Sequence, residues 1–161
     1  MNKDLPTIIL RHRRENLKKC SLRGLEGRED IHFYTYPTTP LPIMSNYILL
    51  GMGGKPLSKE DKNSPLFLID GTWRYAEVMK KQIPSASTIE IRSLPDIFVT
   101  AYPRRQLDCP DPSRGLASVE ALYIAYVLMG KNAEGLLDNY YWKNDFLEKN
   151  KMAFRAFQTA D

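Results

Sequence analysis

Residues Leu66 to Trp73 read Leu-Phe-Leu-Ile-Asp-Gly-Thr-Trp, an apolar run that stops abruptly at an acid, a glycine, a hydroxyl and an indole. A short apolar run bounded by turn residues predicts a strand buried on both faces. Asp70 and its successors then sit at the carboxyl end of that strand, where open α/β sheets form ligand crevices. A carboxylate in such a place can take a proton or orient a nucleophile. Arg74 to Lys81 are good helix formers, and Trp73, Ala76 and Lys80 share one helical face. A flat indole beside an alanine leaves a shallow apolar recess, which suits a small molecule. The same residues also suit a plain buried strand followed by a core tryptophan.

Two other stretches carry charge that could do work. Arg11, Arg13, Arg14, Lys18 and Lys19 fall close together with a single acid, Glu15, among them. Clustered cations displace counterions from nucleic acid, although a solvated charged face is the alternative. Arg104, Arg105 and Arg114 share an irregular segment with Tyr102, broken by Pro103, Pro110 and Pro112. Guanidinium and aromatic groups on one loop suit gripping phosphate and stacking on unpaired bases. With Asp108 and Asp111 offsetting the arginines, an ordinary exposed loop is the other reading.

The elements that must hold these groups alternate between strand and helix. Strands are predicted at Pro6–Leu10, Ile31–Tyr36, Tyr47–Leu50, Leu66–Ile69 and Thr88–Arg92. The basic segment from Arg11 reads as a loop leading into a helix. The third strand runs into Gly51-Met52-Gly53-Gly54, which permits a close backbone turn but matches neither GxGxxG nor a P-loop. Ser58 and Ser118 are candidate helix caps. The helix from Val119 to Met129 is apolar nearly all round, so it is buried, and Gly130 stops it. Glu120 lies near its positive end. An amphipathic segment from about Ala133 to Phe157 supplies Leu136, Leu137, Tyr140, Trp142, Phe146 and Leu147, with Trp142 expected in the core. This alternation predicts an α/β fold with a mostly parallel sheet flanked by helices.

At 161 residues, one domain is expected, with a basic amino-terminal half to about residue 65 and a ligand-binding half after it. Hydrophobic residues make up 43% and charged residues 26%, which excludes disordered and fibrous classes. A net charge of +4 favours a polyanionic partner without requiring one. Cys20 and Cys109 have no CxxC spacing, so neither zinc nor a disulfide framework is expected, and no metal is assigned. No apolar stretch approaches membrane length and the first residues do not read as a signal peptide, so a cytoplasmic monomer with no membrane partner is expected.

Asp70-Gly71-Thr72-Trp73 resembles the signature of the DTW-domain proteins and of the related ribosomal RNA aminocarboxypropyltransferases. Three further stretches agree in order and spacing. Arg14-Glu15-Asn16-Leu17-Lys18-Lys19-Cys20-Ser21 is similar to the "D-P-K-K-C-T" segment of the ribosomal RNA group. Gly115-Leu116-Ala117-Ser118-Val119-Glu120-Ala121 resembles "L-S-x-x-E-A" there and "G-L-S-T-x-E-A" in DTW proteins. Asn139 to Asn150 resembles the closing "F-K-W-G-x-x-F-L-x-x-N". Gly71-Thr72 and the paired arginines follow the DTW form, whose members modify a transfer RNA uridine; the two ends of the chain follow the ribosomal RNA form.

The resemblance implies a SPOUT-like fold with a carboxyl-terminal trefoil knot, and S-adenosylmethionine as cofactor. It implies transfer of the 3-amino-3-carboxypropyl group to a uridine or pseudouridine in RNA, most readily ribosomal RNA, with methylthioadenosine released. By position, Leu49, Leu50 and Gly51 would form one side of the pocket. Ile69, Trp73 and Ala76 would form another, and Leu116, Ala117 and Ser118 a third. Ser21 would lie near the amino-acid end of the cofactor. Trp73 and Ala76 would pack around the methyl group. Asp70 would act as base or would merely cap the helix after it. Arg11, Arg13, Arg14, Lys18, Lys19, Tyr102, Arg104, Arg105 and Arg114 would face RNA. A SPOUT-type RNA methyltransferase and a non-catalytic RNA-binding assembly factor are the rival readings.

Overall fold

The computed structural model describes residues 5–14, 20–71, 73–103 and 115–159, with the backbone alone for Trp73, Arg74, Gln158 and Thr159. Five strands form one sheet: β1 (Thr7–His12), β2 (Ile31–Tyr36), β3 (Ser45–Pro56), β4 (Leu66–Asp70) and β5 (Thr88–Ser93). They run in the order β2-β1-β4-β3-β5 and every pairing is parallel, as the strand–helix alternation predicts. Helices α1 (Trp73–Met79), α2 (Ser118–Met129), α3 (Lys143–Lys149) and α4 (Lys151–Thr159) cover the two faces.

Alternation along the strands divides the core in two. Ile9, Ile31, Ile48, Leu66 and Leu68 face α2, α3 and α4, and pack with Leu122, Ile124, Phe146 and Phe154. Ile8, Leu10, Tyr47, Leu49 and Phe67 face the other way, against Met79 of α1 and against Leu41 and Met44. α2 can be apolar on every side because residues around its whole circumference are buried. It ends at Gly130, whose φ of 73° is left-handed.

Residues 15–19, where the helix after β1 was expected, lie outside the described residues; residues 21–28 form successive turns, with Gly24 at φ 92°. The chain departs from its sequence-based outline in three places. β3 continues past Leu50. Leu50 and Lys55 both pair with Arg92, so residues 51–54 loop out of the ladder before pairing resumes. Gly54 is required there, because a Cβ would collide with the Ile91 carbonyl. The segment from Ala133 begins as turns and then forms two helices meeting at Asn150. Ser118 is the first residue of α2 rather than its cap, which falls on Ala117.

The connections determine where a ligand can sit. After β1 and after β3 the chain passes over the α2 face, burying Leu22, Leu25 and Leu57 there. After β4 it passes over the opposite face as α1. β4 is therefore flanked on both sides by strands whose connections leave in the other direction. Such a switch point opens a crevice outside the carboxyl ends of the strands.

Candidate active site at the carboxyl end of β4

Asp70 ends β4 with its side chain on the α2 face, 6% exposed. Its carboxylate gathers groups from three distant segments. The Ser118 hydroxyl donates to Oδ1 at 2.6 Å, and the Cys20 thiol donates to Oδ2 at 3.4 Å. Arg11 is its register partner on β1, and the Arg11 Nε lies 3.7 Å from Oδ2. No helix N–H from α1 bonds to this carboxylate among the described residues. Burial, and then the neighbouring Asp70 charge, push the Cys20 thiol up to about 12, so it stays protonated and inert.

Ser21 and Ser118 both serve the start of α2. The Ser21 hydroxyl oxygen accepts from the Val119 N–H at 3.2 Å, doing part of the capping expected of Ser118. Ser118 is freed to reach β4. Glu120 is wholly buried and is the hub behind this arrangement. Its carboxylate accepts from Thr100 Oγ1 at 2.6 Å and from the Ala117 N–H at 2.7 Å. It also accepts from the Ala101 N–H at 2.8 Å and the Tyr140 hydroxyl at 3.0 Å. Asn150 adds a second staple: Oδ1 accepts from the Val99 N–H and Nδ2 donates to the Val99 carbonyl. Together Glu120 and Asn150 fix residues 99–101, the stem that leads toward the arginine segment.

The expected pocket residues divide between the two faces of the sheet, Leu49 and Ile69 on the α1 side and Leu50 and Leu116 on the α2 side. Leu49 and Gly51 come from β3, Ile69 from β4, and half-buried Ala76 from α1. Leu50 and Leu116 are half-buried on the α2 face. Leu49 is itself core, 3% exposed, so only its backbone can meet a ligand. Ala117 is buried; its N–H donates to Glu120 and its carbonyl accepts from the Ala121 N–H. Trp73 starts α1, and its side chain lies outside the described residues.

The basic surface is also smaller than the sequence implies. Arg11 was expected to face RNA and instead is buried, 7% exposed, because β1 runs two residues beyond Leu10 and carries it into the sheet. Its guanidinium lies 4.3 Å over the Phe33 ring, and Nη1 donates to Glu26 at 3.3 Å. Its Nη2 is buried without a hydrogen-bond partner among the described residues. Arg13 and Arg14 are exposed, and Tyr102 is half-buried against the core. Lys18, Lys19, Arg104, Arg105 and Arg114 lie outside the described residues. Cys20, Glu26, Glu120 and Asn150 were not expected at the site. For Cys20, Glu120 and Asn150 the signals were an acid inside an apolar helix and the polar residues of the matched stretches; Glu26 had none.

The fold and the site define an α/β protein with a polar constellation at the switch point of a parallel sheet. The chain is similar to the structure of the SAM-dependent rRNA:acp-transferase Tsr3 from Vulcanisaeta distributa. The match covers 98% of this chain and 85% of that one, with a TM-score of 0.70 and 24% identity. The likeness establishes the shared fold. No family model matches the sequence, and no curated protein matches it. Among the described residues no helix is long and apolar enough to cross a membrane, and no group of His, Cys, Asp and Glu is placed to hold a metal.

Proposed function

We propose that this protein transfers the 3-amino-3-carboxypropyl group of S-adenosylmethionine to a uridine or pseudouridine in RNA, most readily ribosomal RNA. One observation carries the reading. Four stretches that resemble the transferase families, far apart in sequence, are joined by hydrogen bonds: Cys20 and Ser118 meet Asp70 at the end of β4, Ser21 accepts from the Val119 N–H, and Tyr140 donates to Glu120. The fold shared with the Vulcanisaeta transferase supports it. The trefoil knot, a cytoplasmic location and a monomeric state belong to the same proposal.

The residues present fit the cofactor. Asp70 and Glu26 set two carboxylates against the single Arg11 guanidinium, an excess of negative charge suited to a sulfonium and an ammonium group. The unspent Arg11 Nη2 is a donor for a carboxylate. Half-buried Leu50, Ile69, Ala76 and Leu116 supply apolar walls, and Gly51 a close backbone approach. When bound, S-adenosylmethionine supplies an electrophilic carbon on a positive sulfur. The resemblance would have Trp73 and Ala76 shield its methyl group, so that the longer arm is the one offered to the RNA.

The chain's own task is to remove the proton from ring nitrogen 3 of the base. Asp70 is the acceptor, and it works through Ser118, whose proton already points at Oδ1. Arg13 and Arg14, with Lys18, Lys19, Arg104, Arg105 and Arg114, hold the RNA backbone. The DTW form of Gly71-Thr72 and the paired arginines favour a second reading, the same reaction on a transfer RNA uridine.

Calorimetric titration with S-adenosylmethionine, followed by analysis of the spent cofactor after incubation with RNA, tests this. Binding with methylthioadenosine as product is expected. S-adenosylhomocysteine would make the protein a methyltransferase, and absence of binding would leave a non-catalytic RNA-binding factor.

A further inference from the structure

Three aromatic rings meet at the carboxyl edge of the sheet on the α1 side. The ring of His12 lies 5.4 Å from that of Tyr36, tilted by 38°, and 5.0 Å from that of Tyr75, tilted by 43°. The alternation that turns Arg11 toward Asp70 turns His12 to the opposite face. Tyr36 ends β2 and Tyr75 lies in the first turn of α1. The Arg14 backbone N–H donates to His12 Nδ1 at 3.1 Å, fixing the imidazole's orientation.

This cluster is not an extension of the core. Tyr36 leans on the α1-side core, but Tyr75 belongs to neither buried cluster and is 49% exposed. Arg13 and Arg14 are exposed beside it, and neither pairs with a described carboxylate. An exposed tyrosine ring backed by further rings, beside guanidinium groups with no described carboxylate partner, is the combination that binds single-stranded nucleic acid. Duplex RNA keeps its bases stacked and offers such rings nothing.

We propose that His12, Tyr36 and Tyr75 form a stacking platform for an unpaired RNA base, with Arg13 and Arg14 on the adjoining phosphates. The proposal rests on the RNA half of the reading above and narrows it to a single-stranded target. Because His12 directly follows Arg11, the register partner of Asp70, a strand held on the platform lies at the same sheet edge as the candidate base.

The test uses the full chain without cofactor, a labelled short oligouridine and a duplex RNA of equal length, read by fluorescence anisotropy. Tyr75→Ala should weaken oligouridine binding by about 5- to 100-fold, the range for losing one stacked base. Tyr75→Phe, which keeps the ring, should bind as the wild type does. Duplex affinity should be the same in all three, and thermal melting should confirm the fold of each. Oligouridine affinity that is absent in the wild type, unchanged in Tyr75→Ala, or lowered in step with duplex affinity would overturn the platform. Titration of the same samples with S-adenosylmethionine reads the transferase proposal separately. Tyr75-dependent RNA binding without cofactor binding would sink that proposal and leave the platform standing.

Discussion

The Ser118 hydroxyl donates to Asp70 Oδ1 across 2.6 Å, joining the first residue of α2 to the last residue of β4. Asp70 is buried and Ser118 only half so, and the second carboxylate oxygen already holds the Cys20 thiol. On the proposed reaction, a base entering the crevice would meet Ser118 before Asp70. The buried acid would then be the inner end of a proton path whose outer end is a hydroxyl.

Replacing Asp70 by Asn keeps the shape and removes the proton acceptor. Methylthioadenosine release in a single turnover should fall by about 10²- to 10⁴-fold, the range for loss of a general base. Ser118→Ala should lose roughly tenfold or more through the same step, and Ser118→Thr should recover most of it. Wild-type turnover in Asp70→Asn would mean that the carboxylate only organises α2.

Glu120→Ala strips four donors of their acceptor at once, in a place water cannot reach. The expected loss is about 3–5 kcal/mol, since the stranded donors retain their desolvation penalty. At this chain length that lowers the Tm by roughly 10 °C. Differential scanning fluorimetry checks it. A shift of a degree or two would show that residues 99–101 are held by Asn150 alone.

Asp30 and Arg28 make a two-pronged ion pair, and Arg28 also donates to the carbonyls of Asn132 and Glu134. The Arg28 hydrogen bonds, against an opposing effect of burial, hold the Asp30 carboxyl below its ordinary 3.8. A lowered carboxyl contributes stability above its unfolded value, and that stability is lost as pH falls through the folded one. Asp30→Asn should thus be less stable than wild type at neutral pH, by about 1 kcal/mol or less for so exposed a pair. Urea midpoints should converge as the pH is taken below the lowered folded value. A gap that persists in acid would assign the effect to packing.

The sheet was legible in the sequence because β-branched and apolar runs mark buried parallel strands almost irrespective of context. β2 begins and ends where its run does, and β4 differs by one residue. The site was legible only where a motif concentrated it, at Asp70 and Ser118. Arg11 was misplaced because its charge reads as surface. A guanidinium can nonetheless be buried when two carboxylates and a ring face await it, and those partners, Glu26, Phe33 and Asp70, lie up to 59 residues away. Glu120 read as a residue favoured by the helix dipole, whereas three of its four partners, Thr100, Ala101 and Tyr140, come from tertiary contacts that no periodicity encodes. The ring cluster escaped for the same reason: His12, Tyr36 and Tyr75 belong to three elements that only the sheet order brings together.

Cys20 offers a measurement of how tightly the site is closed. Its thiol is 5% exposed, and burial followed by the Asp70 charge lifts it from 9.0 to about 12. Below its unfolded value the thiol is protonated in both states and carries no pH dependence. Between about 9 and 12 the unfolded chain releases the proton and the folded chain does not, so stability falls as pH rises. Cys20→Ala should therefore lose stability less steeply than wild type across that interval. The slope due to Tyr126, also raised to about 12 by burial, should survive the substitution. In the wild type, iodoacetamide at mildly alkaline pH should label Cys20 slowly when folded and quickly in denaturant. Rapid labelling of the folded chain, together with an unchanged alkaline slope in Cys20→Ala, would mean that the carboxyl end of β4 is open to water and that Asp70 needs no hydroxyl to reach its substrate.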